Sequence, residues 1–217
     1  MSLRLVVSNI YKNYNGKTVL KDCSFSFDGS GIYVLMGQNG SGKSTFLRIC
    51  ALIENPDRGE VNYFSGADPI NKDIELRRRI TLVLPKIGIF NTTVFKNVAY
   101  GLRIRGINRK KMNERVDKAL DFVGLINKKD QNALTLSTGE TQMLGIARAM
   151  AIEPEILFID EPTASIDQEN TEIIEQIILK MKKDICSTII MTTHDMAQAE
   201  RLADRILIMS DGRIRSG

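Results

Sequence analysis

Eight contiguous residues, Gly37-Gln38-Asn39-Gly40-Ser41-Gly42-Lys43-Ser44, carry the spacing G-x-x-x-x-G-K-S. That combination binds phosphate. Glycines let several backbone N–H groups converge on one anion, and a helix N-terminus beyond them adds favourable electrostatics. The Lys43 ammonium suits the outer phosphates of a nucleotide, and the Ser44 hydroxyl suits Mg2+. The flanks are the ones such a loop needs. An apolar run, Gly31 to Met36, precedes it, and a helical pattern, Phe46 to Leu52, follows. The competing reading, a glycine-rich turn without a ligand, leaves Lys43, Ser44 and both flanks unexplained. Nucleotide contacts are therefore expected from Gly37, Asn39, Gly40, Ser41, Gly42, Lys43, Ser44 and Thr45.

A pair of carboxylates, Asp160 and Glu161, ends the apolar run Ile156–Ile159. A strand end beside a phosphate loop would let Asp160 hold Mg2+, directly or through water. Glu161 would then face the outermost phosphate and polarise an attacking water. Taken alone, the pair could also be an acidic turn. Ser137 and Glu140 in Leu136-Ser137-Thr138-Gly139-Glu140 fit a capping box. A helix N-terminus is also an anion site, so simple capping and a second phosphate contact both stand. His194 is the only histidine in the chain and ends the apolar stretch Ile189–Met191, level with the other strand ends.

These groups need a framework. Leu3–Ser8, Val19–Phe27 and Gly59–Phe64 read as strands, and Ile80–Leu84 as a strand buried on both faces. From Thr93 to about Gly124 the pattern turns helical, with Met112, Val116, Ala119, Leu120 and Val123 on one apolar face. Another helix opens at Ser137 and runs to about Ile152. Strands and helices then alternate: 156–159, 170–182, 188–191, 196–203 and 205–209. Alternation of this kind predicts a mostly parallel sheet with helices on its faces. The whole chain, 1–217, reads as one domain, with a core over 1–85 and 153–217 and an inserted α-helical lobe over about 86–152.

The order of phosphate loop, Leu-Ser-x-Gly-Glu, apolar strand ending Asp-Glu-Pro-Thr, and a later Thr-His-Asp resembles the ATP-binding cassette (ABC) ATPases from about Leu3 to the C-terminus. The resemblance implies an α/β fold of the P-loop NTPase type, with an N-terminal antiparallel β part and the helical lobe. It implies ATP and Mg2+ as ligands. Tyr14 matches the aromatic residue that stacks on adenine, with Tyr11 the nearby competitor; either could instead pack the core. Asp167 matches the loop that crosses to a partner cassette, and His194 the histidine that senses the outer phosphate. The resemblance further implies a composite site. Ser137, Gly139 and Glu140 of one copy cap the ATP held by the phosphate loop of a second copy, so that two head-to-tail copies sandwich two ATP molecules.

Two departures stand out. The family usually carries Gln just after the strand matching Ile80–Leu84; here Pro85 and Lys86 follow, and no Gln occurs between Gln38 and Gln131. Proline lacks the amide donor, and lysine can neither accept from water nor ligate Mg2+. The Gln role is then absent or taken by solvent. Thr138 stands where the signature usually has Gly, and its β-branched side chain limits close approach to phosphate. Weakened capping is expected.

The segments Phe90–Leu102 and Arg103–Gly106 resemble the lobes of oxyanion-importer ATPases, those for tungstate especially; a general importer-type lobe is the alternative. Such a protein sits peripherally on the cytoplasmic face of the membrane. Its partners are two transmembrane permease subunits and, indirectly, an extracytoplasmic solute-binding protein. The remaining composition agrees. The net charge is +4, and Arg77–Arg79 and Arg109–Lys111 are short basic runs rather than a nucleic-acid stripe. The N-terminus has no leader-like apolar core, and no apolar stretch is long enough to span a bilayer. Little chain follows the last strand, so no C-terminal ligand-sensing domain is expected. Cys23, Cys50 and Cys186 read as small buried hydrophobes of a reducing compartment. A soluble cassette protein of DNA repair or translation, and a P-loop kinase for a small metabolite, are the other functional classes. The first usually carries two cassettes or a long coiled-coil insertion. The second has no use for the Leu-Ser-x-Gly-Glu segment.

Overall fold

A computed structural model of the chain describes residues 3–184 and 188–216. In chain order, β1 (Leu3–Tyr14) and β2 (Lys17–Phe27) come first, then β3 (Gly31–Met36) and α1 (Lys43–Cys50). β4 (Arg58–Ser65), β5 (Asp68–Ile70), α2 (Ile74–Arg79) and β6 (Ile80–Val83) follow. A helical stretch holds α3 (Val94–Ile104), α4 (Arg109–Phe122) and α5 (Thr138–Ala151). The chain continues through β7 (Ile156–Asp160), α6 (Gln168–Asp184), β8 (Thr188–Thr193), α7 (Met196–Leu202), β9 (Arg205–Ser210) and β10 (Arg213–Ser216).

Two sheets form, and the fold is α/β as expected. The first has the order β2-β1-β4-β5 and is antiparallel. Its first hairpin turns on Asn15-Gly16, both at positive φ (48° and 79°), the pairing that suits a two-residue hairpin. The second sheet has the order β10-β9-β3-β8-β7-β6. Its neighbours β9, β3, β8 and β7 run parallel, and β10 returns antiparallel. β3, β7 and β8 are buried along their whole lengths, which explains the apolar runs 32–36, 156–159 and 189–191 within them.

The chain forms two compact units. The first takes 3–82, 155–161 and 188–216, and the second 83–154 and 162–184. In the first, Leu5, Leu35, Phe46, Tyr63 and Phe158 are fully buried in one apolar cluster. In the second, α3, α4 and α5 bury Val98, Leu102, Val116, Leu120, Leu144 and Ile146. The helical stretch read from Thr93 to Gly124 is broken in two. Gly106, at φ 72°, ends the first helix, and the Asn108 side chain accepts from the Lys111 amide to start the second. The six-residue α2 escaped the sequence reading because it is too short to show periodicity. Its arginines are tied down locally: Arg77 donates to the Leu52 carbonyl, Arg78 pairs with Glu75, and Arg79 is bidentate to Glu155. Cys23 and Cys50 are buried, and burial pushes the Cys23 thiol up to about 11 and Cys50 well up, so both are inert hydrophobes. Cys186 lies outside the described residues.

Candidate functional site

Parallel pairing brings the chemistry together. β8 lies between β3 and β7, with Met36 opposite Thr193 and Thr192 opposite Asp160. The segments leaving the C-terminal ends of these strands are the phosphate loop, His194 and Glu161. This is where parallel α/β sheets bind ligands.

The loop closes on the start of α1. Gly42 caps that helix at φ 108°, and a Cβ there would stand 2.8 Å from Leu20 Cδ2. A side chain there would be strained by that backbone conformation, and it would also crowd the Val19 carbonyl at 3.0 Å. Lys43 is 5% exposed; its Nζ donates to the Gly37 carbonyl (2.7 Å) and the Gln38 carbonyl (3.2 Å) and lies 3.3 Å from Glu161 Oε1. Ser44 Oγ donates to Asp160 Oδ1 at 3.0 Å. Ser41 Oγ is buried with no hydrogen-bond partner among the described residues. A buried hydroxyl lacking a partner carries a desolvation cost that a bound anion would remove.

One organiser of this cluster was missed from sequence. Thr192 Oγ1 donates to Asp160 Oδ1 at 2.7 Å and accepts from the Glu161 amide at 3.0 Å. It therefore orients both carboxylate residues from the neighbouring strand. Glu161 itself sits at φ 46°, a left-handed conformation that is uncommon for a residue with a Cβ. Its Oε2 is 3.0 Å from His194 Nδ1. Lys43, Ser44, Asp160, Glu161 and His194 thus form one connected array.

Tyr14, the last residue of β1, is 38% exposed beside the hairpin turn, and its hydroxyl donates to the Glu54 carboxylate. Tyr11 is half-buried within the strand. An open cleft of about 570 Å³ lies against the phosphate loop, lined by Lys17, Val19 and residues 37–41 on one side and by 208–212 on the other.

The remaining expected residues lie in the second unit. Ser137 caps α5 with both halves of a capping box: its Oγ accepts from the Glu140 amide (3.2 Å), and Glu140 Oε2 accepts from the Ser137 amide (3.0 Å). The Lys128 ammonium hydrogen-bonds Glu140 and holds that carboxyl below the usual range, against a smaller opposing effect of burial. Gly139 is tightly packed, since a Cβ there would stand 2.4 Å from Asn170 Cγ. Asn170 is held by Asp167, which accepts from its amide (2.9 Å) and its side-chain nitrogen (2.8 Å). The Asp167 carboxyl is accordingly lowered, chiefly by that amide bond. Asn170, unnoticed in the sequence, joins the expected residues 139 and 167. Thr138 is exposed in the first turn of α5. If its side chain obstructs a phosphate, Thr138→Gly increases ATP-driven dimerisation over wild type in gel filtration. No gain in dimer would refute that obstruction. Pro85 and Lys86 form an exposed bend after β6.

A phosphate loop between a buried parallel strand and a helix, with carboxylates at the end of the next strand but one, defines a P-loop nucleotide hydrolase. Residues 20–164 match the ABC transporter family, and the chain belongs to it. It is an ATPase and an ATP-binding subunit of the importer type. It is 40% identical to the tungstate uptake system ATP-binding protein TupC of Peptoclostridium acidaminophilum, over 98% of this chain and 97% of that one. It is 36% identical to the phosphate import ATP-binding protein PstB 2 of Natronomonas pharaonis, over 97% of this chain and 78% of the relative. Among solved structures, cbiO1 from Clostridium perfringens, part of the transporter complex cbiONQ, superposes with a TM-score of 0.87 at 28% identity; the match covers 99% of this chain and 88% of that one. No helix among the described residues is long and apolar enough to cross a membrane.

Proposed function

We propose that the chain powers an importer for an oxyanion such as tungstate or molybdate. In this reading it acts as one cassette with a helical lobe over about 86–152. It works as a homodimer on the cytoplasmic face of the membrane, docked on two permease subunits that receive cargo from an extracytoplasmic binding protein. The observation that carries the cargo assignment is the 40% identity to a tungstate uptake protein over 98% of this chain. Relatives named for phosphate and methionine import lie only slightly lower, so an importer for another small solute is the second reading.

The residues divide the work as follows. Tyr14 receives the adenine. The backbone of 37–45, with the Ser41 hydroxyl and Lys43, receives the phosphates. Lys43 then exchanges its carbonyl and Glu161 partners for phosphate oxygens. Ser44 and Asp160 put two hard oxygen donors 3.0 Å apart, which suits Mg2+; that ion prefers few protein ligands and completes its shell with phosphate and water. Bound there, it would supply positive charge against the phosphate oxygens. Glu161 accepts the proton of the attacking water, and His194 steadies Glu161 and the outer phosphate. Ser137, Gly139 and Glu140 of the second copy, with its Asp167 loop, complete the pocket. ATP thereby closes the dimer and hydrolysis reopens it.

Reconstitution in proteoliposomes with the co-purified permease tests the cargo. ATPase stimulation by binding protein loaded with tungstate or molybdate, and not by phosphate or methionine, is the expected outcome. Stimulation by another solute alone would replace the oxyanion reading while keeping the motor.

A further inference from the structure

The loop after α1 is tied to the end of β1 by a set of bonds that the hydrolytic chemistry does not use. Glu54 is its centre. Its carboxylate accepts from the Tyr14 hydroxyl and lies 3.3 Å from both Lys12 Nζ and Arg48 Nε. Lys12 also donates to the Asn55 carbonyl (2.8 Å) and Asp57 (3.3 Å), while Asp57 accepts from the Asn13 amide (2.7 Å). All three residues at the tip of β1, Lys12, Asn13 and Tyr14, are therefore held by 54–57. Arg48 extends the connection, because its Nη2 donates to Thr45 Oγ1 at 3.2 Å, in the first turn of the helix that begins at the phosphate loop. The Lys12 ammonium lies 5.5 Å from the centre of the Tyr14 ring.

We propose that Glu54 is a positioning residue for nucleotide recognition: it fixes the Tyr14 ring, through its hydroxyl, at a set distance from the phosphate loop. The proposal rests on the reading of Tyr14 as the adenine platform. The physical reason is entropic. An exposed aromatic side chain beside a hairpin turn samples several rotamers, and a ligand that needs one of them binds more weakly by the fraction of time it is absent. Two cations on Glu54 fix the carboxylate, the carboxylate fixes the hydroxyl, and the ring is presented in one orientation. The chain Tyr14–Glu54–Arg48–Thr45 also links the ends of the site that take base and phosphate. The energetic effect should therefore appear with ligands that have both ends and vanish with ligands that lack the base.

The test compares wild type with Glu54→Ala, Glu54→Gln, Tyr14→Phe and Tyr14→Ala. It reads KM and kcat for ATP and the affinity for inorganic tripolyphosphate. Glu54→Ala is expected to raise KM for ATP about fivefold, the size of one lost hydrogen bond, with the effect on KM rather than kcat and none on tripolyphosphate. Tyr14→Phe, which leaves Glu54 and its cations in place, gives the same rise in KM. Glu54→Gln keeps an acceptor and lies closer to wild type. Equal weakening of ATP and tripolyphosphate in Glu54→Ala would show that Glu54 merely supports α1, and would overturn the proposal. So would wild-type ATP affinity in Tyr14→Phe alongside weak binding by Tyr14→Ala; in that case the platform reading survives alone. Wild-type affinity in Tyr14→Ala removes the platform itself.

Discussion

Glu161→Gln leaves a protein that binds ATP, turns it over at least about a hundredfold more slowly, and accumulates as a nucleotide-held dimer. The geometry makes this substitution clean. The Glu161 backbone is positioned by Thr192, whose hydroxyl accepts from the residue 161 amide, and that bond does not depend on the side chain. Glutamine has the same shape, so the strand end and the Asp160 bonds to Ser44 and Thr192 persist. What is lost is the carboxylate that accepts a proton. A second effect points the same way. Glu161 is 3.3 Å from Lys43, and a neutral amide competes less well for that ammonium, leaving it free for phosphate. Affinity should therefore hold or rise while hydrolysis fails. Single-turnover ATPase measurements and gel filtration in MgATP check both halves. Turnover near the wild-type rate would overturn the role assigned to Glu161.

Lys43→Ala is expected to weaken ATP binding by about a hundredfold or more, with catalysis lost as a consequence. The Lys43 ammonium is buried and satisfied by two loop carbonyls and by Glu161. It thus holds the loop together and keeps a cation inside the phosphate cradle at no further ordering cost. Its loss leaves Glu161 facing the incoming anion with His194 beside it. Repulsion then adds to the missing hydrogen bonds. Calorimetric titration with a non-hydrolysable ATP analogue gives the affinity directly. Retained affinity would mean that the phosphates bind elsewhere than 37–45.

Much of this arrangement is readable without coordinates, where the chemistry is local in sequence. The phosphate loop has both its glycines and its flanking strand and helix within about twenty residues. The Ser137–Glu140 capping box shows both its bonds. β3, β7 and β8 are recognisable because burial on two faces favours apolar runs, here 32–36, 156–159 and 189–191. What escapes is whatever depends on register across distant strands. Thr192 binds Asp160 from 32 residues away, which follows only once β8 is paired beside β7. Glu54 meets Tyr14 across 40 residues, and no periodicity marks either. Asn170 packs on Gly139 through the approach of α6 to α5, which no local pattern announces. Other features had a visible signal that was passed over. Asn15-Gly16 marks a tight hairpin, and Gly106 followed by Asn108 marks a helix stop and a new cap.

The left-handed backbone at Glu161 has a consequence for how quickly the machine can respond. Holding a residue with a Cβ there costs roughly 1 kcal/mol or more of folding free energy, and the surrounding bonds must sustain it. In return the carboxylate is held on a fixed bearing, against Lys43 and His194. The subunit is thereby a cocked trigger rather than a loose one.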